Sequence, residues 1–264
     1  MQVSGWLRSA SDGAQRRLEL TSDPASLDRD GWAGLLGGDR PAVPTRGTVY
    51  GVALNSADEL AALGEALEQP PYKAAPKAPV LYIKPANTWV GAFDEFRMPE
   101  GVDAMEICAA VAVVLGTDAT RVKRENAWAC VSGITLVADL SVPTASFFRP
   151  PVRFKCLDGS CAIGPWVVDA GSVPLLETLV LEVVVDGETA QRVPMNRWVR
   201  DAAHLIADIS AFMTLREGDV LMLGCGPDRP RVTAGQRVQV RCAGIGMLSP
   251  RIVREDAVER SARP

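Results

Sequence analysis

The sequence predicts an α+β fold, rich in strands and with few helices. Apolar runs of strand length recur along the chain, at 49–54, 79–83, 109–115, 178–185, 220–223 and 236–242. Helical signals are confined to 56–67 and 198–212, with one short turn at 124–129. Turn-forming stretches such as Asp186-Gly187 and Glu217-Gly218-Asp219 separate the runs. A doubly wound fold would alternate strand with helix, and this chain does not.

Residues 1–46 have their own texture, rich in Asp, Arg, Gly, Ser and Pro, with apolar patches at Trp6-Leu7, Leu18–Leu20 and Trp32–Leu36. They read as an N-terminal extension or small subdomain with a linker, docked through those patches. The main domain is expected over 47–255. Val49–Leu54 is its first strand. Ser56 then offers a cap oxygen and Glu59 stands three residues on, which starts a helix that runs to Leu67 and stops before Pro70-Pro71. Pro79–Ile83 is a strand leading into Lys84-Pro85. Ala109–Leu115 follows, and Arg124–Ala129 is a helical turn before the strand that ends at Asp139. Beyond Gly164, Thr178–Val185 alternates toward the Asp186-Gly187 turn. Trp198–Phe212 carries Ala202, Leu205, Ile206, Ile209 and Phe212 at helical spacing. Val220–Leu223, Gln236–Cys242 and Ile252–Val253 finish the sheet, and 256–264 is expected to be a frayed tail.

Composition excludes several function classes. Net charge is −4 and Lys and Arg are not clustered, so no nucleic-acid footprint is expected. The apolar run Ile107–Leu115 is far shorter than the ~20 residues that span a bilayer, so no membrane partner is expected. No basic stretch leads into an apolar segment at the N-terminus, which makes the cytoplasm the expected compartment. The six cysteines show no CxxC pair and no Cys/His zinc spacing. In a reducing compartment they are expected to be free thiols. The one histidine, His204, reads as a helix residue at the border of the core.

Chemistry-bearing motifs concentrate in Val131–Gly164, which holds Ala138-Asp139-Leu140-Ser141, Lys155-x-x-Asp158-Gly159 and Ala162-Ile163-Gly164. Taken as residues alone, Lys155 and Asp158 read as a strand end and a turn. The combination strongly resembles the fumarylacetoacetate hydrolase family. That resemblance implies a mixed-sheet β-roll, a metal-binding role for Asp139 and a substrate-facing Lys155 that stabilises a carboxylate or enolate. It makes Asp139 and Lys155 the catalytic candidates.

The same resemblance exposes a departure. The family draws two further metal ligands from a strand written Glu-x-Glu-Leu-Ala-Val-Val-Ile-Gly, and the matching stretch here is Cys108–Gly116. Side chains two apart on a strand share a face, so paired glutamates can clamp one hard cation. Cys108 is a poor ligand for such an ion and Ala110 has no ligand atom, so no metal is expected in this chain. Glu106 would share that face, and it could serve only if the strand slid. Leu223-Gly224-Cys225-Gly226-Pro227 replaces the family's Thr-Gly-Thr-Pro pocket loop, and a thiol is a weaker donor than a hydroxyl. Glu59 stands where active members carry a lid histidine, which removes that general base.

Further segments narrow the resemblance to the subgroup that isomerises and decarboxylates intermediates of 4-hydroxyphenylacetate breakdown, in particular its N-terminal half. They are Val52–Asn55, Pro71–Lys77, Tyr82–Thr88, Ser146–Pro150 and Lys155–Cys161. On this basis Lys84, Asp158, Gly159 and Cys225 are the substrate-binding candidates. The implied function is a subunit of a decarboxylase/isomerase for 2-oxo or 2-hydroxydiene di- and tricarboxylic acids. Mg²⁺ or Mn²⁺ would sit in a homologous partner subunit, or the chain would pair with a second copy of itself. The alternatives are a metal-free structural partner and a diverged enzyme with a different substrate.

Overall fold

The computed structural model describes residues 2–9, 11–21, 38–144, 152–173 and 175–255. Its main sheet is built on β1 (Gln2–Arg8), β2 (Gln15–Thr21), β3 (Val49–Ala53), β4 (Val80–Lys84), β5 (Met105–Leu115), β6 (Val131–Ser141), β7 (Cys161–Asp169) and β8 (Val220–Met222). Their spatial order is β2-β1-β7-β6-β5-β8-β3-β4. Immediately beyond β4, Trp89–Val90 pairs in parallel with β7, Trp89 opposite Cys161. The far end of the sheet thus returns to β7, and β7-β6-β5-β8-β3-β4 close into a roll.

Closure explains why β5 lacks the alternation of a half-buried strand: both its faces are covered. Ile107, Ala109, Val111, Val113 and Leu115 belong to the large core, with Phe96, Trp166, Leu205 and Ile209. Cys108, Ala110, Ala112 and Val114 face a smaller core with Val137, Cys161, Ile163, Val220, Met222 and Cys225. Strands from around the whole sheet contribute to this second cluster, which places it inside the roll. Small residues suit so narrow an interior. The β5–β6 and β6–β7 registers set Cys108 and Cys161 on either side of Asp139, in one row across three strands.

The N-terminal residues extend this sheet. β1 pairs with β7 and β2, and its alternating burial sends Val3 and Leu7 into the large core. The Trp32–Leu36 patch, the Ser146–Pro150 motif and the 256–264 tail lie outside the described residues. A second sheet packs Val180–Val185 between Glu188–Pro194 and Val238–Cys242, with Gly246–Leu248 at its edge. Its hairpin turns at Asp186-Gly187, both at positive φ, as that pair predicts.

Among the described residues the α-helices are α1 (Ala57–Leu63), α2 (Val152–Lys155) and α3 (Ala202–Ser210). Ser56 caps α1 through the Glu59 N–H at 3.2 Å. α3 starts later than its apolar spacing predicts because Asp201 caps it, accepting from the His204 N–H at 2.8 Å. His204 lies on its partly exposed face, 3.6 Å from Asp208. Among the described residues no helix is long and apolar enough to cross a membrane. β7 escapes a reading by propensity because Pro165 interrupts it, and its pairing with β6 shifts register between Gly164 and Val168. Lys155, expected at a strand end, instead closes the short helix α2.

Candidate functional site

Asp139 sits inside the roll with no solvent exposure and is enclosed by hydrogen-bond donors. Its Oδ1 accepts from Lys84 Nζ at 2.9 Å and from Ser141 Oγ at 3.1 Å. Its Oδ2 accepts from Lys155 Nζ at 2.9 Å and from the Tyr82 hydroxyl at 2.9 Å. Four donors fill the lone-pair positions of one carboxylate. Burial alone would raise its pKa, but the Lys155 and Lys84 ammonium groups outweigh that and hold it well below the ordinary carboxylate range.

The two lysines differ in reach. Lys84 is fully buried, and its ammonium also donates to Ser160 Oγ at 2.9 Å and to the Lys155 carbonyl. Its three N–H bonds are committed to protein. Lys155 keeps 14% side-chain exposure, donates to Ser141 Oγ at 3.0 Å and lies 4.4 Å above the Tyr82 ring centre. It is the ammonium with access to a ligand.

Tyr82 was not predicted as a site residue. It reaches Asp139 because the sheet curls and because Gly51, opposite it on β3, has no side chain. A Cβ at Gly51 would lie 2.0 Å from the Tyr82 ring. Burial, followed by the Asp139 charge, pushes the phenol well above its usual range, so Tyr82 acts as a donor here.

Cys108 and Cys225 are joined in a disulfide with a Cα–Cα separation of 5.3 Å. This corrects the expectation of six free thiols: the roll brings together two cysteines that are 117 residues apart. Cys130, Cys156, Cys161 and Cys242 are free, and burial pushes the Cys161 thiol up to about 12. Cys225 lies on the loop after β8. That loop is also held by Asn55, whose Nδ2 donates to the Leu223 carbonyl at 2.7 Å, and by the ion pair of Arg229 with Glu59. The Glu59 carboxylate is thereby engaged across the loop. Burial raises its pKa, against the opposing pull of Arg229.

Asp158 and Gly159 stand apart from this cluster. Asp158 is exposed and accepts from Asn87 Nδ2 at 2.7 Å, while Gly159 turns the chain at φ +66°. With Trp89, Glu95 and Arg97 they line a shallow depression of about 370 Å³. The structure therefore unites Lys84, Asp139 and Lys155, sets Cys225 on the neighbouring loop, and leaves Asp158 and Gly159 on a different surface.

The divalent metal that the resemblance implies does not fit this donor set. Position 108 presents a sulfur bonded to Cys225, position 110 a methyl group, and Asp139 already balances two ammonium ions. Among the described residues no group of three or more His, Cys, Asp or Glu side chains is placed to hold a metal.

The fumarylacetoacetate (FAA) hydrolase C-terminal family matches residues 48–253. The Escherichia coli 4-hydroxyphenylacetate degradation bifunctional isomerase/decarboxylase is 36% identical over 213 residues, which cover 81% of this chain and 48% of that protein. The chain thus spans about half the length of the curated relatives it matches. Among solved structures, the 5-carboxymethyl-2-hydroxymuconate delta-isomerase of Mycobacterium smegmatis superimposes with a TM-score of 0.76 at 25% identity, covering 97% of this chain and 100% of that one. Fumarylpyruvate hydrolase from Pseudomonas aeruginosa, solved with Mn²⁺ and pyruvate, gives 0.69 at 26% identity, over 81% and 91% of the two chains. The domain match and the shared β-roll together make this chain a member of the fumarylacetoacetate hydrolase family.

Proposed function

We propose that this chain is a subunit of a decarboxylase/isomerase for small 2-oxo or 2-hydroxydiene di- or tricarboxylic acids, with the metal-dependent centre in a homologous partner. The observation that carries the reading is Asp139 closed by Lys84, Lys155, Tyr82 and Ser141 beside the Cys108 and Ala110 positions. The family's ligand face survives as geometry, while its charge has changed sign. Lys84 and Lys155 against Asp139 leave one positive charge in excess in a largely buried place. Such a place suits a carboxylate. Lys155 would hold it, with Asp139 and Ser141 positioning the amine. The loop at Cys225 would bound the ligand, and Asp158 and Gly159, on their own surface, would not reach it. The chain would act in the cytoplasm together with the metal-binding member.

The complete saturation of Asp139 favours a second reading, a structural or regulatory subunit with no chemistry of its own. One experiment separates the two. The chain and a homologue carrying paired glutamates are assayed alone and mixed, with Mg²⁺ or Mn²⁺, on a 2-oxo dicarboxylate, following ultraviolet absorbance. On the proposed reading the mixture exceeds the sum of its parts and Lys155→Met in this chain lowers it. If the mixture gains but Lys155→Met changes nothing, the structural reading stands. Full activity of this chain alone in the presence of a chelator overturns both.

A further inference from the structure

We infer that Cys108 and Cys225 form a reversible thiol–disulfide modification site that fixes the loop at 223–229 to the roll. Three observations converge on it. The pair spans 5.3 Å between Cα atoms, inside the range a disulfide needs, so either oxidation state fits the backbone. One member stands on the rigid central strand β5, and the other on a loop whose other ties are noncovalent, among them the Leu223 N–H to the Val111 carbonyl at 3.1 Å, Asn55 to Leu223, Gln191 Nε2 to the Pro227 carbonyl, and Arg229 to Glu59. The bond also lies at the charged cluster, Cys108 Sγ being 3.7 Å from the Tyr82 hydroxyl that donates to Asp139. Oxidation therefore changes how firmly the wall beside Lys155 is held.

The chemistry uses a low-molecular-weight disulfide as oxidant. The Cys225 thiolate, on the loop and from the less buried of the two residues (6% exposed against 2%), attacks that disulfide when the loop opens, releases one small thiol and carries the other as a mixed disulfide. Cys108 then attacks the Cys225 sulfur and expels the second small thiol. Two protein thiols become one disulfide, the small disulfide becomes two thiols, and the two protein protons end on them. An excess of small thiol reverses both steps. A reducing compartment favours the dithiol, and an oxidising one the disulfide that the structure contains.

The test uses the full chain treated with oxidised glutathione or with dithiothreitol, then denatured and alkylated. Oxidised protein should show four alkylatable thiols against six after reduction, with Cys108 and Cys225 peptides joined and no glutathione retained. Cys108→Ser should instead trap glutathione on Cys225. Hydrogen exchange then reads the consequence: amides at 223–226 should exchange about tenfold more slowly in the oxidised protein, by suppression of local opening. Six thiols after oxidation, a different pairing, or equal exchange in the two states would each overturn the inference. None of these readouts depends on substrate, so they stand apart from the fate of the decarboxylase/isomerase reading.

Discussion

Asp139→Asn removes the charge that two ammonium ions share while keeping the side chain's shape. At an effective dielectric of about 20, a carboxylate and an ammonium about 4 Å apart attract by about 4 kcal/mol. Two such pairs exist here, both at 2.9 Å between N and O. Lys155 keeps 14% exposure and loses part of its share to water, whereas Lys84 has none. After desolvation, breaking a buried pair from one side costs about 3–5 kcal/mol, because the orphaned ammonium stays buried. For 264 residues that corresponds to a fall in Tm of about 5–9 °C. The assay is urea and thermal unfolding followed by circular dichroism at neutral pH. Lys84→Met combined with Asp139→Asn should cost less than the sum of the single changes, since the double variant has no enclosed lone charge. The pH dependence has a defined sign. Asp139 is held below its unfolded value, near 3.9, so its contribution is complete above about pH 4 and drains away as pH falls further. The gap between wild type and Asp139→Asn should therefore narrow under acid. A neutral-pH loss under about 1 kcal/mol would refute the reasoning, since such a loss is ordinary for a surface change.

Three further outcomes follow from the same geometry. Gly51→Ala drives a methyl group into the Tyr82 ring, so it should cost about 1–3 kcal/mol and weaken the Tyr82–Asp139 bond, read by unfolding and by tyrosine absorbance. Calorimetry of the purified chain should detect no stoichiometric site for Mg²⁺ or Mn²⁺ at micromolar concentration, and such a site would contradict the account of Asp139. Light scattering should give an assembly larger than the 28.2 kDa chain, alone or with a metal-binding homologue, and a monomer in both settings would count against the paired-subunit proposal.

Local pattern sufficed for much of this architecture. The unbroken apolar run at 109–115 marks a strand covered on both faces, and Ser56 and Asp186-Gly187 mark a helix cap and a hairpin. Asp139 and Lys155 are close enough in sequence, and set in motifs specific enough, for their shared place to be readable. The curl of the sheet was legible only through the family resemblance, and which side chains it brings together was not. Only closure at Trp89 and Cys161 brings Tyr82 and Lys84 across to β6, and no periodicity encodes that distance. The Cys108–Cys225 bond was missed for the same reason: cysteine spacing is informative within short motifs, and these two meet through three-dimensional register. β1 and β2 were hidden in a polar stretch because only alternate positions of a half-buried strand need be apolar.

The closed roll also dictates when the charged cluster can exist. Its parts come from residues 82–84, 139–141, 155 and 160, so the contacts made by Tyr82 and Lys84 on β4 close loops of 55 to 76 residues. Assembly is therefore a late event in folding, gated by long loop closures of the kind that slow all strand-rich topologies. A ribosome-bound chain that has not yet delivered β7 and β8 would display the β5–β6 pair with both outer edges open and strongly apolar. For a nascent molecule, the hazard lies in those two strands waiting for their neighbours.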